Sequence, residues 1–378
     1  MKKLTVLHIS PAPPQLGGME AFMGDLLHSA LRRKVNLLHL DISKPALQKG
    51  GRYGIGTGYA AIRQRGLRQN LRSYGYSLIF FYRFVKLLLL QTIDILHIHT
   101  ASYTSFWEKC LYVIIGRFSG NKVILHVHGA LFDQFYQNSS ACARALIRFF
   151  LARAHAVIVL SQFWLDFFTK NVPKAKLRLV ENGIDLAPYL ALLPYEGRPT
   201  LLHIGEISRR KGIDDLLAVL AEIKALDVDF HLHLAGGGEL DHYERMIDRL
   251  QLHEHVTLHG PVRGSAKLKL FSDSNIFILA SYAEGLPIAL IEALAAALPV
   301  IVTDVGGIPD VIINGRNGWL CKPGDRGALR DHCLALIRQA QLRQTMGLTN
   351  RSYAETRFDI NRCVEHIVAV YRNICGIP

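Results

Sequence analysis

The sequence predicts an α/β protein with two domains. Its length of 378 residues is enough for two hydrophobic cores, and 50% of the residues are hydrophobic. A strand–helix–strand unit of the parallel type is predicted where the apolar run Ile276–Ala280 is followed by a helix and then by the run Val300–Val302. Pro287 marks the first turn of that helix, because the missing N–H of proline has no cost there. Pro299 ends it.

Apolar runs of strand length predict the sheet of the first domain, which we place at residues 1–190. These runs are Leu4–Ser10, Asp94–His99, Lys122–Gly129, Ala156–Ser161 and Leu177–Val180. The segment Tyr76–Leu90 is apolar, but it is interrupted by Arg83 and Lys86 and is too short to span a bilayer. We therefore predict an amphipathic helix whose apolar side packs on this sheet. Residues 44–75 are polar and basic, with no clear strand.

The second domain is predicted at residues 191–359, with a linker at Leu186–Pro199. Its further strand-like runs are Thr200–Gly205, Phe230–Gly238 and Val256–Val262. Two motifs after the strand–helix–strand unit, Thr303–Asp310 and Asn317–Leu320, are interpreted as scaffold turns without a part in the chemistry. From Asp325 onward the pattern is helical.

Two carboxylates flank the start of the helix in the strand–helix–strand unit. Glu284 lies in the loop at the carboxyl end of the strand, and Glu292 lies in about the second turn of the helix. The N–H groups of a first helical turn favour an anion such as phosphate, and ligands of open α/β sheets bind at this edge. A diphosphate with carboxylates that accept hydrogen bonds from hydroxyl groups suits a nucleotide-sugar. On the residues alone, it stays open whether both glutamates only complement the helix dipole.

Two histidines lie near the end of one predicted strand of the first domain. Alternation along Lys122–Gly129 places His126 and His128 on one side of it. Two imidazoles could form part of a metal site, but no third ligand falls at a telling spacing, so we expect no metal there.

Several motifs, in their order and spacing, resemble the GT4 family of retaining glycosyltransferases, which have the GT-B fold. Glu284–Glu292 is similar to the E-x7-E element of this family, and Gly17–Glu20, Asn182–Asp185 and Gly306–Asp310 match further motifs. The resemblance covers nearly the whole chain. It implies two Rossmann-like domains that face each other across a cleft, with residues 360–378 returning as a helix to the first domain.

The resemblance also implies where the chemistry occurs. The catalytic candidates are His128, beside the transferred sugar, and Glu284, beside the sugar or its phosphate, while His99 and His126 are weaker candidates. Glu292 is expected to accept hydrogen bonds from the ribose hydroxyls. The donor-binding positions that it implies are Gly17, Gly18, Arg210, Lys211, Val262, Arg263, Gly285, Leu286, Pro287, Ile288 and Glu292. We expect attack from the leaving-group face, without a carboxylate nucleophile, a metal or another cofactor.

One residue departs from the pattern of the family. The family usually has G-R-x4-K-G, in which arginine and lysine neutralise the donor diphosphate. Lys211 fits this pattern, but Glu206 occupies the arginine position. Because an acid beside a diphosphate is repulsive, either Arg209 or Arg210 supplies the second positive charge or Glu206 turns away.

The positive charge is concentrated in the first half of the chain. Residues 1–190 carry 24 Lys and Arg against 9 Asp and Glu, a net charge of +15, whereas the remainder carries −2. This asymmetry predicts an anionic partner for the first half, either nucleic acid or a lipid surface, and we favour an anionic membrane surface. The resemblance implies a UDP- or GDP-sugar donor and a saccharide acceptor, and the basic first half indicates that the acceptor is lipid-linked. The six cysteines form no CxxC pair, which indicates reduced thiols in a cytoplasmic protein. We expect the protein to lie at the inner face of the plasma membrane.

Other classes of protein compete with this interpretation. A basic nucleic-acid-binding protein is disfavoured because the sequence has no helix-turn-helix, zinc-finger or RRM pattern. A nucleotide-dependent oxidoreductase needs G-x-G-x-x-G after its first strand, where PAPPQLGG occurs instead. Within the GT-B architecture, a nucleotide-sugar epimerase or a sugar phosphorylase remains an alternative.

Overall fold

A computed structural model describes residues 3–13, 17–44, 67–192 and 196–377, with the backbone alone at residues 67–74. The described residues form two compact units. The first consists of the residues up to 44, residues 67–183 and residues 360–377, and the second consists of the described residues from 184 to 359.

The first unit is a parallel six-stranded sheet with helices packed on it. Its strands are β1 (Thr5–Ser10), β2 (Asn36–Asp41), β3 (Ile95–Thr100), β4 (Lys122–Val127), β5 (Ala156–Val159) and β6 (Leu177–Leu179), in the order β2-β1-β3-β4-β5-β6. Its helices are α1 (Gly18–His28), α2 (Leu31–Lys34), α3 (Leu67–Leu90), α4 (Thr104–Phe118), α5 (Phe132–Gln137), α6 (Ala141–Arg153), α7 (Gln162–Asn171) and the C-terminal helix (Ile360–Cys375). All six residues of β3 are buried, as expected for a central strand covered on both faces.

The amphipathic helix predicted at Tyr76–Leu90 is confirmed as part of α3. Phe80 and Phe84 are buried in the core of the first unit, and the Phe84 ring packs against Tyr112 of α4. The helix begins at Leu67, earlier than predicted, because the preceding polar segment contains good helix formers such as Leu, Arg and Gln. The rest of the basic segment, residues 45–66, lies outside the described residues. No helix in the described part of the chain is long and apolar enough to cross a membrane.

The second unit is also built on a parallel six-stranded sheet. Its strands are β7 (Thr200–Ile204), β8 (His231–Ala235), β9 (Val256–Gly260), β10 (Ile276–Leu279), β11 (Val300–Thr303) and β12 (Gly318–Cys321), in the order β12-β11-β10-β7-β8-β9. Its helices are α8 (Ala187–Leu190), α9 (Ile213–Lys224), α10 (Leu240–Arg249), α11 (Gly264–Ser272), α12 (Ile288–Ala295), α13 (Arg326–Arg338) and α14 (Ala340–Arg357), with a 3-10 turn at Arg209–Lys211.

The strand–helix–strand unit predicted from the sequence is β10–α12–β11. Both strands are fully buried, and they pair in parallel with Ile278 opposite Ile301. The interpretation of Asn317–Leu320 as a turn was wrong, because Gly318 pairs with Val300 and the edge strand β12 begins there. A parallel sheet brings the carboxyl ends of its strands to one edge, so the loops after β7 and β10 lie at the same edge of the second unit.

Candidate active site

The loop that follows β10 holds the first predicted carboxylate, Glu284, in a buried position. Lys211 Nζ lies 2.5 Å from Glu284 Oε1, and Ser281 Oγ donates to the same oxygen at 2.6 Å. Burial acts to raise the pKa of Glu284, but the charges of Lys211 and Arg210 and these hydrogen bonds outweigh it, so the pKa lies below its ordinary value. Glu284 is therefore an ionised carboxylate that is held by a lysine of the same unit.

Helix α12 starts directly after this loop, and among the described residues no side chain caps it. Pro287 occupies the N-cap position with φ −68° and ψ 126°. The N–H groups of a first helical turn have no partner within the helix, and they carry the positive end of its dipole. The start of α12 can therefore bind an anion beside Glu284.

Two glycines let the backbone close around this loop. A Cβ atom on Gly306, where φ is +55°, would lie 1.9 Å from the Glu284 carbonyl oxygen. A Cβ atom on Gly212, where φ is +71°, would lie 1.9 Å from the Ala280 carbonyl oxygen. Only glycine fits both positions without displacing the backbone. The Gly306–Asp310 motif thus supports the loop that carries Glu284.

The second predicted carboxylate, Glu292, lies on α12 and is 4% exposed. Lys267 Nζ of α11 lies 2.5 Å from Glu292 Oε1, with 21% of the lysine side chain exposed. Lys267 is not predicted from the sequence, because no local pattern links it to a carboxylate 25 residues away. Each of the two predicted carboxylates is therefore bound to one lysine of the second unit.

The departure at Glu206 has a structural explanation. Arg210 pairs with Glu206 at 2.7 Å and also donates to the Ala283 carbonyl oxygen at 3.1 Å. Arg209 is 88% exposed and lies 3.9 Å from Asp214. Glu206 thus offsets the charge of Arg210, and Lys211 is the cation that is bound to Glu284.

The remaining predicted donor positions lie at loop ends. Val262 is half-buried and Arg263 is exposed, just after β9 and at the N-cap of α11. Gly17 and Gly18 are exposed at the start of α1 in the first unit. The roles expected for these four residues toward the base and the donor phosphates stay predictions.

A further histidine lies at this edge that was not predicted from the sequence. His203 of β7 is fully buried, and its Nδ1 lies 3.2 Å from the Ile278 carbonyl oxygen. Burial and the charge of Lys211 lower its pKa to about 4, so it is neutral at pH 7. Its Nε2 has no partner among the described residues. The feature of the sequence that indicates His203 is the H-I-G sequence at the end of β7.

The carboxyl half of the sheet in the first unit contains a cluster of five histidines. They are His8 on β1, His97 and His99 on β3, His126 on β4 and His128 just after it. The predicted placement of His126 and His128 on one side is confirmed, because their ring centroids lie 4.2 Å apart. The sheet register pairs His8 with His97 and His99 with His126, which brings the five rings together.

These histidines are neutral at pH 7. Burial lowers the pKa of His128 to about 3, and burial together with the charge of His39 does the same for His8. The other three imidazoles have pKa values well below the ordinary value because of burial and their histidine neighbours.

The structure supplies the third imidazole that the sequence spacing did not. Nitrogen atoms of His99, His126 and His128 lie within 4.8 Å of one another, as do those of His8, His97 and His99. The third member comes from a neighbouring strand, which a spacing argument along one strand misses. We expected no metal at this cluster because a third ligand was lacking, and that reason no longer holds.

The sequence also gives no support for metal independence, because it contains a D-x-D motif, which often holds a divalent cation. Asp227–Asp229 is a D-x-D sequence. It lies between α9 and β8, at the amino end of that strand, and Asp229 pairs with Arg198 at 2.8 Å. It is thus at the edge of the sheet opposite to Glu284.

Two family patterns match the chain. Glycosyltransferase Family 4 matches residues 16–188, and Glycosyl transferases group 1 matches residues 191–353. The chain belongs to the family 4 glycosyltransferases. N-acetyl-alpha-D-glucosaminyl L-malate synthase of Bacillus anthracis is 28% identical over 295 residues, which are 75% of this chain and 76% of that protein. The capsular polysaccharide biosynthesis glycosyltransferase CapM of Staphylococcus aureus is 27% identical over 169 residues, 45% of this chain and 44% of that protein.

Solved structures agree on the fold of this glycosyltransferase. Sucrose-phosphate synthase from Thermosynechococcus elongatus has a TM-score of 0.77 at 20% identity and covers 98% of this chain and 99% of its own. HepE from Anabaena in complex with UDP-glucose has a TM-score of 0.73 at 18% identity and covers 97% and 99%. Together with the two parallel sheets, these likenesses confirm the predicted α/β class and the GT-B fold.

Proposed function

We propose that this glycosyltransferase is a retaining enzyme that transfers a hexose or N-acetylhexosamine from a nucleotide-diphosphate sugar to a lipid-linked or cell-surface polysaccharide acceptor. The observation that carries the proposal is the start of α12, which no side chain of the described residues caps, between two buried carboxylates that are each bound to a lysine. The complex of HepE with UDP-glucose and the name of CapM support the donor and acceptor classes.

In this proposal, the residues of the second unit hold the donor and stabilise its leaving group. The diphosphate binds at the start of α12, where the N–H groups and the Lys211 ammonium supply positive charge without a metal. Glu292 accepts hydrogen bonds from the ribose hydroxyls through the carboxylate oxygen that Lys267 does not use.

The proposed reaction retains the anomeric configuration by attack from the leaving-group face. The acceptor oxygen forms a bond to the anomeric carbon, the bond to the phosphate oxygen breaks, and the acceptor proton passes to the leaving phosphate. His128, neutral at pH 7, orients the sugar in this scheme and takes no proton.

Calorimetric titration with UDP, GDP and ADP tests the donor half of the proposal. We expect selective micromolar binding of one nucleotide, with the same affinity in EDTA and in magnesium. Binding that requires magnesium overturns metal independence, and binding of none of the three overturns the donor site. Because the proposed reaction is a transfer, conversion of the sugar into its epimer without any acceptor indicates an epimerase instead. The anomeric configuration of the product, measured by NMR, tests retention.

We further propose that the first unit binds an anionic membrane surface through α3. This helix exposes a set of apolar side chains: Leu78 (70%), Ile79 (48%), Tyr82 (67%), Leu89 (81%) and Leu90 (66%). Arg83 and Lys86 are exposed on the same helix. An apolar surface with adjacent basic residues suits a lipid bilayer that carries anionic headgroups.

Sedimentation with vesicles tests this surface. Removing two basic residues near an anionic membrane weakens binding by about 1 kcal/mol each, so the Arg83→Gln, Lys86→Gln double variant is expected to bind vesicles with phosphatidylglycerol about 30-fold more weakly. Leu348→Glu, at a 57% exposed leucine on α14 of the second unit, is the control and is expected to bind normally. Equal binding of the double variant and the wild type overturns the surface, while nucleotide binding remains a separate test.

A further inference from the structure

A continuous chain of hydrogen bonds starts at His128 and runs into the interior of the first unit. His128 Nε2 lies 3.0 Å from His99 Nδ1, and His99 Nε2 lies 3.0 Å from His8 Nδ1. His8 Nε2 in turn lies 3.0 Å from the hydroxyl oxygen of Tyr371, a fully buried residue of the C-terminal helix. Because Nε2 of His128 is committed to His99, Nδ1 is the nitrogen that His128 has left for a ligand.

The chain continues from the Tyr371 hydroxyl to its far end. The hydroxyl oxygen lies 2.6 Å from His97 Nδ1, and His97 Nε2 lies 3.2 Å from His126 Nδ1. His126 Nε2 is buried and has no partner among the described residues. The chain thus has one end that is partly exposed, at His128, and one end that is closed.

Such a chain has two states. A neutral imidazole has one N–H donor and one acceptor nitrogen, so a ring that donates through Nε2 must accept at Nδ1. The Tyr371 hydroxyl likewise accepts one hydrogen bond and donates one, since leaving its hydrogen unpaired in a buried site costs free energy. All hydrogen bonds therefore point in the same direction. Either all five rings carry the proton on Nε2, or all five carry it on Nδ1.

Two considerations favour the state with the proton on Nε2. A neutral histidine side chain intrinsically prefers this tautomer, and the preference adds over five rings that must agree. This state leaves the His126 N–H without an oxygen or nitrogen acceptor among the described residues, but the Phe22 and His126 rings pack edge to face, with centroids 5.7 Å apart and an interplanar angle of 77°. An N–H group can contact an aromatic face in an arrangement of this type.

We propose that this hydrogen-bond chain locks His128 as the Nε2–H tautomer, so that His128 acts only as a hydrogen-bond acceptor, through Nδ1, for a hydroxyl group of the sugar substrate. His99, His8, Tyr371 and His97 are positioning residues in this arrangement. The choice of a sugar hydroxyl as ligand rests on the proposed function, whereas the locked tautomer is a property of the protein alone.

Nitrogen NMR of the full-length protein labelled with 15N-histidine tests the tautomer without any substrate. We expect a proton on Nε2 and none on Nδ1 for His128, which is assigned from the resonances that disappear in His128→Asn. His99→Leu removes the partner of Nε2, and the two nitrogen shifts of His128 are expected to move toward each other.

Two further variants keep this experiment interpretable. Tyr371→Phe breaks the chain farther from His128 and serves if His99→Leu does not fold, with a smaller shift in the same direction expected. Tyr243→Phe also removes one hydroxyl from a buried tyrosine, in the second unit, and is expected to leave His128 unchanged. A proton on Nδ1 in the wild type, or His128 shifts that neither chain-breaking variant changes, overturns the proposal. So does a stoichiometric transition metal on these imidazoles in the purified protein.

Kinetics with the sugar donor test the proposed hydrogen bond between a sugar hydroxyl and Nδ1 of His128. An asparagine amide oxygen can occupy the place of His Nδ1, whereas a glutamine amide reaches the place of Nε2. We therefore expect kcat/KM of His128→Gln to be about 2- to 13-fold lower than that of His128→Asn, the worth of one neutral hydrogen bond. A purely structural role predicts the reverse order, since glutamine keeps the contact with His99. If no donor is turned over, the proposed function fails, but the NMR result still decides whether the tautomer is locked.

Discussion

The proposed hydrogen bond between Glu292 and ribose can be tested by changing one atom of the protein and two atoms of the ligand. In the structure, Glu292 Oε1 is bound to Lys267, which leaves Oε2 to accept from the ribose hydroxyls. Glu292→Gln keeps the size of the side chain and removes its charge. The variant is expected to weaken binding of UDP, if UDP is the nucleotide that the protein selects, and otherwise of the selected nucleotide.

The size of the loss follows from the charge and burial of the acceptor. Glu292 is 4% exposed, so little water competes for its oxygen. Glutamine keeps a neutral amide oxygen as acceptor, so the loss is the difference between a hydrogen bond to a charged group, about 1.5–3 kcal/mol, and one to a neutral group, about 0.5–1.5 kcal/mol. This difference of about 1–1.5 kcal/mol is equivalent to a rise in Kd of about 5- to 13-fold. The side chain of Lys267 is 21% exposed and keeps contact with water, so we expect the variant to fold.

Calorimetry with two ligands isolates this interaction. The 2′,3′-dideoxy analogue of the nucleotide lacks both ribose hydroxyls, and we expect it to bind the wild type and Glu292→Gln equally. Glu222→Gln is the matched control, because Glu222 is a half-exposed glutamate of the same unit that pairs with Arg330. Equal losses for the nucleotide and its dideoxy analogue mean that the substitution acts through the fold, and unchanged affinity for both would refute the ribose role.

Two further predictions concern the loop around Glu284 and the buried histidines. Gly306→Ala places a Cβ 1.9 Å from the Glu284 carbonyl oxygen and is expected to abolish nucleotide binding, whereas Gly315→Ala, with a similar φ of +79° and open space around it, should cost only about 1 kcal/mol of stability in a denaturation experiment. Equal effects of the two alanines contradict this. His8 and His128 have a folded pKa of about 3 against 6.5 for the unfolded chain, so the unfolded state binds more protons below pH 6.5. Each is expected to lower the free energy of unfolding by about 2 kcal/mol between pH 7 and pH 5, and a melting temperature that does not fall over this range is the contrary outcome.

Most of the fold could be predicted from the sequence because both sheets are parallel and buried. Strands covered on two faces are continuous apolar runs, and those at Ile276–Ala280 and Val300–Val302 lie within a residue of the observed strands. Two edge strands of these sheets, β6 and β9, were predicted, but the other two edge strands, β2 and β12, were not. In β2, three of the six residues are only half-buried, so the strand is not a continuous buried run. Strand β12 is identified by the pairing of Gly318 with Val300 and not by its composition.

The candidate site was predictable only where its residues are close in sequence. Glu284 and Glu292 lie at the two ends of one motif, and their positions follow from helix geometry. The contact of Lys267 with Glu292 depends on how α11 packs, and that of Tyr371 with His8 joins residues 363 positions apart. Contacts of this kind are set by tertiary structure, which no local pattern encodes.

The glutamate at the arginine position of the family motif does not exclude diphosphate binding, because its charge is already offset. Glu206 pairs with Arg210 at 2.7 Å, and the two side chains are 21% and 29% exposed. Glu206→Gln keeps a hydrogen-bonding group for Arg210 but frees its positive charge. We expect the selected nucleoside diphosphate to bind about fivefold more tightly, which corresponds to about 1 kcal/mol for a partly exposed charge. The gain should shrink at high salt and be absent for the nucleoside, which has no phosphates. If the nucleoside gains as much as the diphosphate, or neither gains, then Arg210 serves only to hold the loop through the Ala283 carbonyl oxygen.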